Sequence, residues 1–467
     1  MEARCLSKHP SSLNEQQFCL SIALEPYRLV MEIPTSQAFH MNNIRRKCLL
    51  SWQIPSIGFG LTFLLGLGLS SSNQDIRPEV QSVGLVVFTV LVAIGSYYTV
   101  QAFRSCQRYR NKDYLKYAIA GLLSNLFLIF FVVTSVIEIY TLNHPLNTTK
   151  HSLEEFKPRS NASKLPIWID ADPACGQSST NDVDDCWALM MALRSPELDL
   201  RGISTTFGNT KGETALQVAR QVIGHLGGAA RTPIYEGSHD RGSPEWNSTQ
   251  ASEAIASALR QEKLTIIAQG PLTNIATVIV NHPDVVRNID RIVMVAGKRP
   301  GNLFHPGEQW WLHFGDFNIR KDTPAAKIVL DSGIPLILTP FELATKVTIT
   351  RSDLHKLGSG DEAAHWLRQA SQSWMSFWED RLHKQGFYPF DALAVGYVTM
   401  PDLFGCEILP ARIGFSIFLE PFGLGHDLEV AEDIKGSQVY YCSDVDRRFK
   451  DRLIQRLITP KTVNNDV

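Results

Sequence analysis

Apolar positions are spread unevenly along this chain. Three long runs come first: residues 54–72 (IPSIGFGLTFLLGLGLSSS), 82–103 (SVGLVVFTVLVAIGSYYTVQAF) and 117–140 (YAIAGLLSNLFLIFFVVTSVIEIY). A bilayer core of about 30 Å takes roughly 20 mostly apolar residues in a helix. The second and third runs meet that length, and the first is Gly-rich, which membrane helices tolerate. The pattern therefore predicts about three transmembrane helices within residues 51–142. A signal peptide does not fit, because the runs start far from Met1 and recur.

The pattern changes at Leu165. Short β-rich runs (LPIWID, LRGISTTFG, LTIIAQG, RIVMVAG and IPLILTP) alternate with helical periodicity over residues 184–193, 212–223, 250–261, 272–280 and 323–331. That rhythm predicts βαβ units, hence an α/β fold on an open, mostly parallel, doubly wound sheet. The strands read as continuous apolar runs, as strands covered on both faces do. The chain thus divides into residues 1–50 with no clear periodicity or assigned function, a membrane region at 51–142, a linker at 143–164 and an α/β domain at 165–467.

Charge sets an orientation. Arg45, Arg46 and Lys47 precede the first run, and RSCQRYRNKDYLK separates the second from the third. The positive-inside rule then predicts an integral membrane protein with a cytoplasmic N-terminus and an extracytoplasmic α/β domain. Acceptor patterns at Asn147, Asn161 and Asn247 fit that side of a membrane. Of the eight cysteines, Cys175, Cys186, Cys406 and Cys442 fall where disulfides are allowed. Cys175 and Cys186 bracket one short segment, which makes a bridge between them a fair expectation. No CxxC pattern suggests zinc. A formal net charge of -2 without a long basic block gives no case for nucleic acid.

Ligands of doubly wound sheets bind beyond the carboxyl ends of the strands. The first run ends in Asp170-Ala171-Asp172, the second in TTFGN with Asn209, and the third leads to Thr273 and Asn274. The fourth leads to a loop with Asn302, Asp316 and Asn318. Neither a P-loop nor a GxGxxG opens a helix, so phosphate and dinucleotide binding are unsupported. In IWIDADPACGQSSTNDVDDCWALMMAL, five aspartates crowd one stretch: Asp170, Asp172, Asp182, Asp184 and Asp185. A divalent cation would cancel their repulsion, and oxygen-only ligands favour Ca²⁺ or Mg²⁺. Asp182 reads as a helix cap.

Asp170, Asp172-Pro173 and Asp184-Asp185 before CWALMMAL resemble the amino-terminal signature of the nucleoside hydrolase family (inosine–uridine-preferring type), in which D-x-D-P-G-x-D-D enters a helix. STTFGN, GPLTNIA, MVAGKRPGN with GDFN, and FDALAVGY are similar to later motifs of that family, in its order. The resemblance implies hydrolysis of the N-glycosidic bond of ribonucleosides to ribose and free base, with Ca²⁺ at the pocket floor. By matching position, Asp172, Asp185 and Asp391 would give carboxylates to Ca²⁺ and Thr273 its backbone carbonyl, with Asp172 also the general base. Asp184, Asn209, Asn302, Asp316 and Asn318 would hold the ribose hydroxyls or the acids that orient them, and Asp170 would support them from behind. The expected partners are a small-molecule ribonucleoside and the lipid bilayer; assembly into a homo-oligomer stays open.

The match breaks in three places. Pro-Gly-x-Asp-Asp is stretched to PACGQSSTNDVDD, an insertion that costs little loop entropy. Phe390 stands where many members carry His before the final Asp. A His-Gly segment of some members is missing after TPIYEGSHDRG, where His239 reads as a surface-loop residue. Leaving-group protonation therefore has no assigned residue, which keeps open a chain that binds ribonucleosides without cleaving them.

Overall fold

The computed structural model describes residues 151–459 with breaks at 158–163, 179–180, 227–231, 243–244, 308–313 and 421–422, together with scattered helical positions between 94 and 123. Most of the three apolar runs, and all of residues 1–50, lie outside the described residues. Among the described residues no helix is long and apolar enough to cross a membrane.

Nine strands form one sheet in the order β3-β2-β1-β4-β5-β6-β9-β7-β8. They are β1 (Leu165–Ala171), β2 (Leu198–Thr205), β3 (Ile234–Tyr235), β4 (Leu264–Ala268), β5 (Ile289–Met294), β6 (Leu336–Leu338), β7 (Phe404–Glu420), β8 (Gly423–Val430) and β9 (Ser437–Val445). The first six are parallel to their neighbours, and β9 runs parallel to β6. β7 pairs antiparallel with both β8 and β9. The mostly parallel sheet matches the sequence reading. Its last three strands and the two-residue β3 do not come out of the apolar pattern.

Helices cover both faces. Trp187, Leu189, Met190, Leu393 and Val395 belong to the core on one face, and Ile255, Leu259, Ile275 and Val329 to the core on the other. Helix Asp184–Leu193 buries all but its last residue, and helix Phe390–Thr399 buries Asp391 through Val398. Both are apolar nearly all round, as central helices are. The expected linker is not entirely free of the domain. It contributes helix Leu153–Phe156, whose Phe156 ring stacks on Tyr440 at 5.3 Å and whose carbonyl accepts from the Tyr397 hydroxyl at 2.9 Å.

Strand order reverses between β1 and β4. β1 sends its chain outward to β2, and β4 returns to β1's other edge before the sheet continues to β5. At such a switch point the two following connections diverge and leave a crevice at the strands' carboxyl ends. Asp170 pairs in register with Ser204 on one side and Ala268 on the other, so the first aspartate pair opens onto that crevice.

Candidate active site

The site starts with the two acids at the end of β1. Asp170 Oδ1 accepts from Ser204 Oγ (2.5 Å) and Asn274 Nδ2 (2.8 Å), while its Oδ2 is buried without a partner. Burial pushes its pKa up to about 6. Asp172 gives its backbone N–H to Asp185 Oδ1 (3.1 Å), and its Oδ2 accepts from the Asn209 N–H (2.6 Å). Its Oδ1 is buried with no hydrogen bond. The carboxyl is wedged between two glycines. A Cβ on Gly208 would lie 1.9 Å from Oδ2, and one on Gly270 2.8 Å from Oδ1. These close approaches require glycine. Burial, reinforced by Asp184 and Asp170, holds Asp172 well above the usual carboxylate range.

Two helix N-termini supply the other acids. Asp184 and Asp185 begin helix Asp184–Leu193, and Asp391 lies in the first turn of helix Phe390–Thr399. Exposed backbone N–H groups and the helix dipole favour negative charge there. One carboxylate oxygen from each of Asp184, Asp185 and Asp391 can be chosen so that all lie within 4.8 Å of one another. Burial and mutual repulsion push Asp184 up to about 7 and hold Asp185 and Asp391 well above the ordinary range. Asp182 Oδ1 accepts from the N–H groups of Val183 (2.6 Å) and Asp184 (3.2 Å), but the N-cap position is Val183, so Asp182 sits one residue ahead of the cap position expected for it; its charge also bears on Asp184. The insertion is tied to this helix by the Cys175–Cys186 disulfide.

Among the described residues, none of these five buried carboxylates (Asp170, Asp172, Asp184, Asp185 and Asp391) is paired with Lys or Arg. Buried unpaired anions cost several kcal/mol each in practice. A cation held by oxygen donors resolves this, and both the donor set and the orphaned Asp172 Oδ1 fit a hard divalent ion.

The remaining expected site residues divide. Asn209 reaches the centre: its Nδ2 donates to Asp185 Oδ2 at 3.2 Å. Thr273 is not brought to the acids by its visible bonds. Its hydroxyl donates to Asp322 (2.6 Å), and its carbonyl accepts from the Thr277 hydroxyl (2.8 Å), one turn along its own helix. Asp316 caps helix Phe317–Lys321, accepting from Ile319 N–H (3.3 Å), while Oδ2 accepts from Gly297 N–H (2.6 Å). Burial pushes it up to about 7. Asn318 Nδ2 joins the ends of β4 and β5 through the carbonyls of Gln269 (2.9 Å) and Val295 (3.0 Å). Asn302 is exposed, and its Nδ2 donates to Glu342 (3.2 Å). Phe390 packs edge-on against Phe304 at 5.5 Å. His239 is half exposed beside Glu236.

Sequence reasoning missed Gln269, Glu342 and Asp427. The Gln269 side-chain amide is buried at the end of β4 with neither Oε1 nor Nε2 hydrogen-bonded. Asp427 on β8 accepts from Arg320 (2.8 and 3.1 Å) and from the Asp316 N–H (3.0 Å), with Lys298 at 3.5 Å. It thereby fixes the loop that carries Asp316 and Asn318. The TPFE segment after β6 was the available signal for Glu342, being itself a strand end; nothing in HDLEV singles out Asp427.

A doubly wound sheet with a carboxylate-built, oxygen-only centre at its switch point defines an α/β protein equipped for polar, cation-assisted chemistry. The family model for inosine-uridine preferring nucleoside hydrolase matches residues 167–447, and the chain belongs to that family. It is 29% identical over 270 residues to the pyrimidine-specific ribonucleoside hydrolase RihA of Salmonella enteritidis, covering 51% of this chain and 81% of that protein. The RihA of Klebsiella pneumoniae is 29% identical over 271 residues, with the same shares covered. Among solved structures, a plant nucleoside hydrolase shares the fold with a TM-score of 0.52 at 20% identity, covering 63% of this chain and 99% of the other. The purine-preferring ribonucleoside hydrolase of Gardnerella vaginalis does so with 0.52 at 21% identity, covering 62% and 98%.

Proposed function

We propose that this chain is a membrane-anchored, Ca²⁺-dependent hydrolase that cleaves the N-glycosidic bond of ribonucleosides to ribose and free base. The observation that carries this is the buried Asp172 carboxyl at the switch point, with one oxygen fixed by Asn209 and the other without a partner, beside three converging acids. Family membership and the pyrimidine-specific relatives support the substrate class.

Asp185 and Asp391 would hold the ion, joined by Asp184 on the geometry and by Asp172 through its link to Asp185. When bound, Ca²⁺ supplies the positive charge that lets these acids ionise and acidifies water at the site. Asp172 takes the proton of the attacking water as general base. The sugar develops oxocarbenium character as the bond to the base breaks. Carboxylates already fixed by helix N-termini stabilise that charge without reorganising. Asn209 holds Asp172 and Asp185 in place, and Asn302 is the exposed amide offered to a sugar hydroxyl. Asp316 and Asn318 shape the loop around it.

The anchor rests on the three apolar runs and their flanking charge. Ile94, Tyr97 and Val100 in the second run, and Ile119, Leu122 and Leu123 in the third, are helical and exposed. The Cys175–Cys186 and Cys406–Cys442 disulfides fit an oxidising, extracytoplasmic compartment, as does the exposed Asn247. Protease protection of the α/β domain from the outer side of intact cells would overturn that orientation.

The activity is tested by incubating the full chain with a panel of ribonucleosides and Ca²⁺ and measuring free ribose. Release from at least one nucleoside is expected. Nucleoside binding without any ribose would instead establish a binding or sensor protein, a reading that the missing His at Phe390 keeps in view.

A further inference from the structure

One acid on the rim has no part in the scheme above. Glu342 follows β6 in helix Phe341–Ala344 and so stands at the carboxyl edge of the same sheet as Asp172. Its Oε1 accepts from the Arg299 backbone N–H (2.9 Å) and from Asn302 Nδ2 (3.2 Å). Its Oε2 is buried and accepts no hydrogen bond. The bonds on Oε1 thus fix the carboxyl beside the loop expected to grip the sugar, and among the described residues only the Tyr441 hydroxyl faces it besides these donors.

The groups facing it do not neutralise it. The Tyr441 hydroxyl of β9 lies against the carboxyl and lowers its pKa, as the Arg299 N–H and the Asn302 amide do, but burial outweighs all three. The Arg299 guanidinium lies over the Tyr441 ring at 4.9 Å and pairs with Glu407 of β7 at 2.5 Å rather than with Glu342. Burial keeps the Glu342 carboxyl above the usual range, so the protonated form persists to higher pH. Phe341 precedes Glu342 in the same short helix. That ring lies 5.5 Å from Phe304, which meets Phe390 at 5.5 Å, and Phe390 directly precedes Asp391. A row of rings therefore runs from Phe341, the residue before Glu342, to Phe390, the residue before Asp391. The row includes the position where a histidine is common and a phenylalanine, which has no proton to give, stands here.

We propose that Glu342 is the acid that protonates the departing base. The inference rests on the hydrolase reading. As the C1′–N bond breaks, its electron pair stays with the base, which takes the proton from Glu342. Water oxygen bonds to C1′ and gives its proton to Asp172. Release of ribose and base returns a proton from solvent to Glu342 and one from Asp172 to solvent.

The test uses the full chain with Ca²⁺, the natural nucleosides inosine and uridine, and 4-nitrophenyl riboside, whose leaving group departs as a stable anion without an acid. Glu342→Gln is expected to lower kcat on inosine or uridine by about 10²–10⁴-fold, the range for a lost general acid, and to leave aryl riboside cleavage within a few-fold. Surviving aryl riboside cleavage also reports that the variant is folded. Parent activity on nucleosides should fall as pH rises through the Glu342 pKa, a limb absent from its aryl riboside profile. Glu342→Asp, which keeps an acid, should restore part of the nucleoside rate. Equal losses on both kinds of substrate would overturn the proposal and leave Glu342 as a residue that positions Asn302. An unimpaired Glu342→Gln would overturn it too. If the parent chain cleaves aryl riboside but Glu342→Gln loses nothing, only the acid is refuted; if the parent cleaves neither substrate, the hydrolase reading falls and takes the proposal with it.

Discussion

Asp353 and Asp427 are as buried as the acids after β1, yet their carboxyls are held below the usual range while the rim acids are held above it. Burial alone would raise both sets. Asp353 overcomes it by accepting from Thr350 N–H (3.0 Å), Lys356 (3.0 Å) and Lys450 (3.1 Å), which bring it down to about 2. Asp427 overcomes it with the Arg320 fork and Lys298. Among the described residues, the acids after β1 and Asp391 have no such cations. The same residue type under the same burial is a structural joint where the chain supplies its own counter-charge, and a candidate cation site where it withholds one.

That division can be broken by substitution. The largest effect is expected at the rim: Asp172→Ala should lower ribose release by about 10²–10⁴-fold, the scale of a lost general base, while the far-ultraviolet spectrum stays that of the parent. Undiminished turnover would remove Asp172 from the chemistry. Asp427→Asn should act on stability instead. It leaves Arg320 and Lys298 without their buried carboxylate, a change of about 3–5 kcal/mol in a denaturant melt. A variant as stable as the parent would show that the pairing is not what holds this loop.

A smaller effect of opposite sign sharpens the contrast. In chelator, Asp184→Asn removes one of several mutually repelling charges and should raise the melting temperature above that of the chelated parent. With Ca²⁺ present it should lie below the parent. A fall under both conditions would mean that Asp184 is already compensated within the chain.

The smallest effect is the pH response of Asp353. Its folded pKa of about 2 lies below the unfolded value, so its contribution is complete above about pH 4 and disappears as pH falls towards 2. Asp353→Asn should flatten acid unfolding in that window and cost about 2 kcal/mol at pH 7, the scale of the pKa shift. An unchanged acid limb would refute this.

The two sets were not equally legible in the sequence. The rim announced itself because strand, turn and helix lie within one stretch: LPIWID, the insertion and DDCWALMMAL bring Asp172 and Asp185 together locally. The parallel core was legible for the same reason, since each βαβ unit repeats a local pattern. Asp427 was not. It lies on an antiparallel strand added beyond β9, and its partners Lys298 and Arg320 are more than a hundred residues earlier. HDLEV also reads as a half-exposed alternating strand, whereas His426, Asp427 and Leu428 are all buried. Thr273 shows a subtler limit. A motif can place the residue at the rim, but which oxygen faces the site depends on the helix that begins there.

The central claim is that the unpaired acids at the switch point hold a divalent cation, and equilibrium titration of Ca²⁺ into the chelator-treated full chain tests it most directly. Binding of a single ion to the parent is expected, with loss of that binding in Asp391→Asn and no change in Asp353→Asn. Absence of Ca²⁺ binding by the folded parent, or binding that survives Asp391→Asn unaltered, would contradict it.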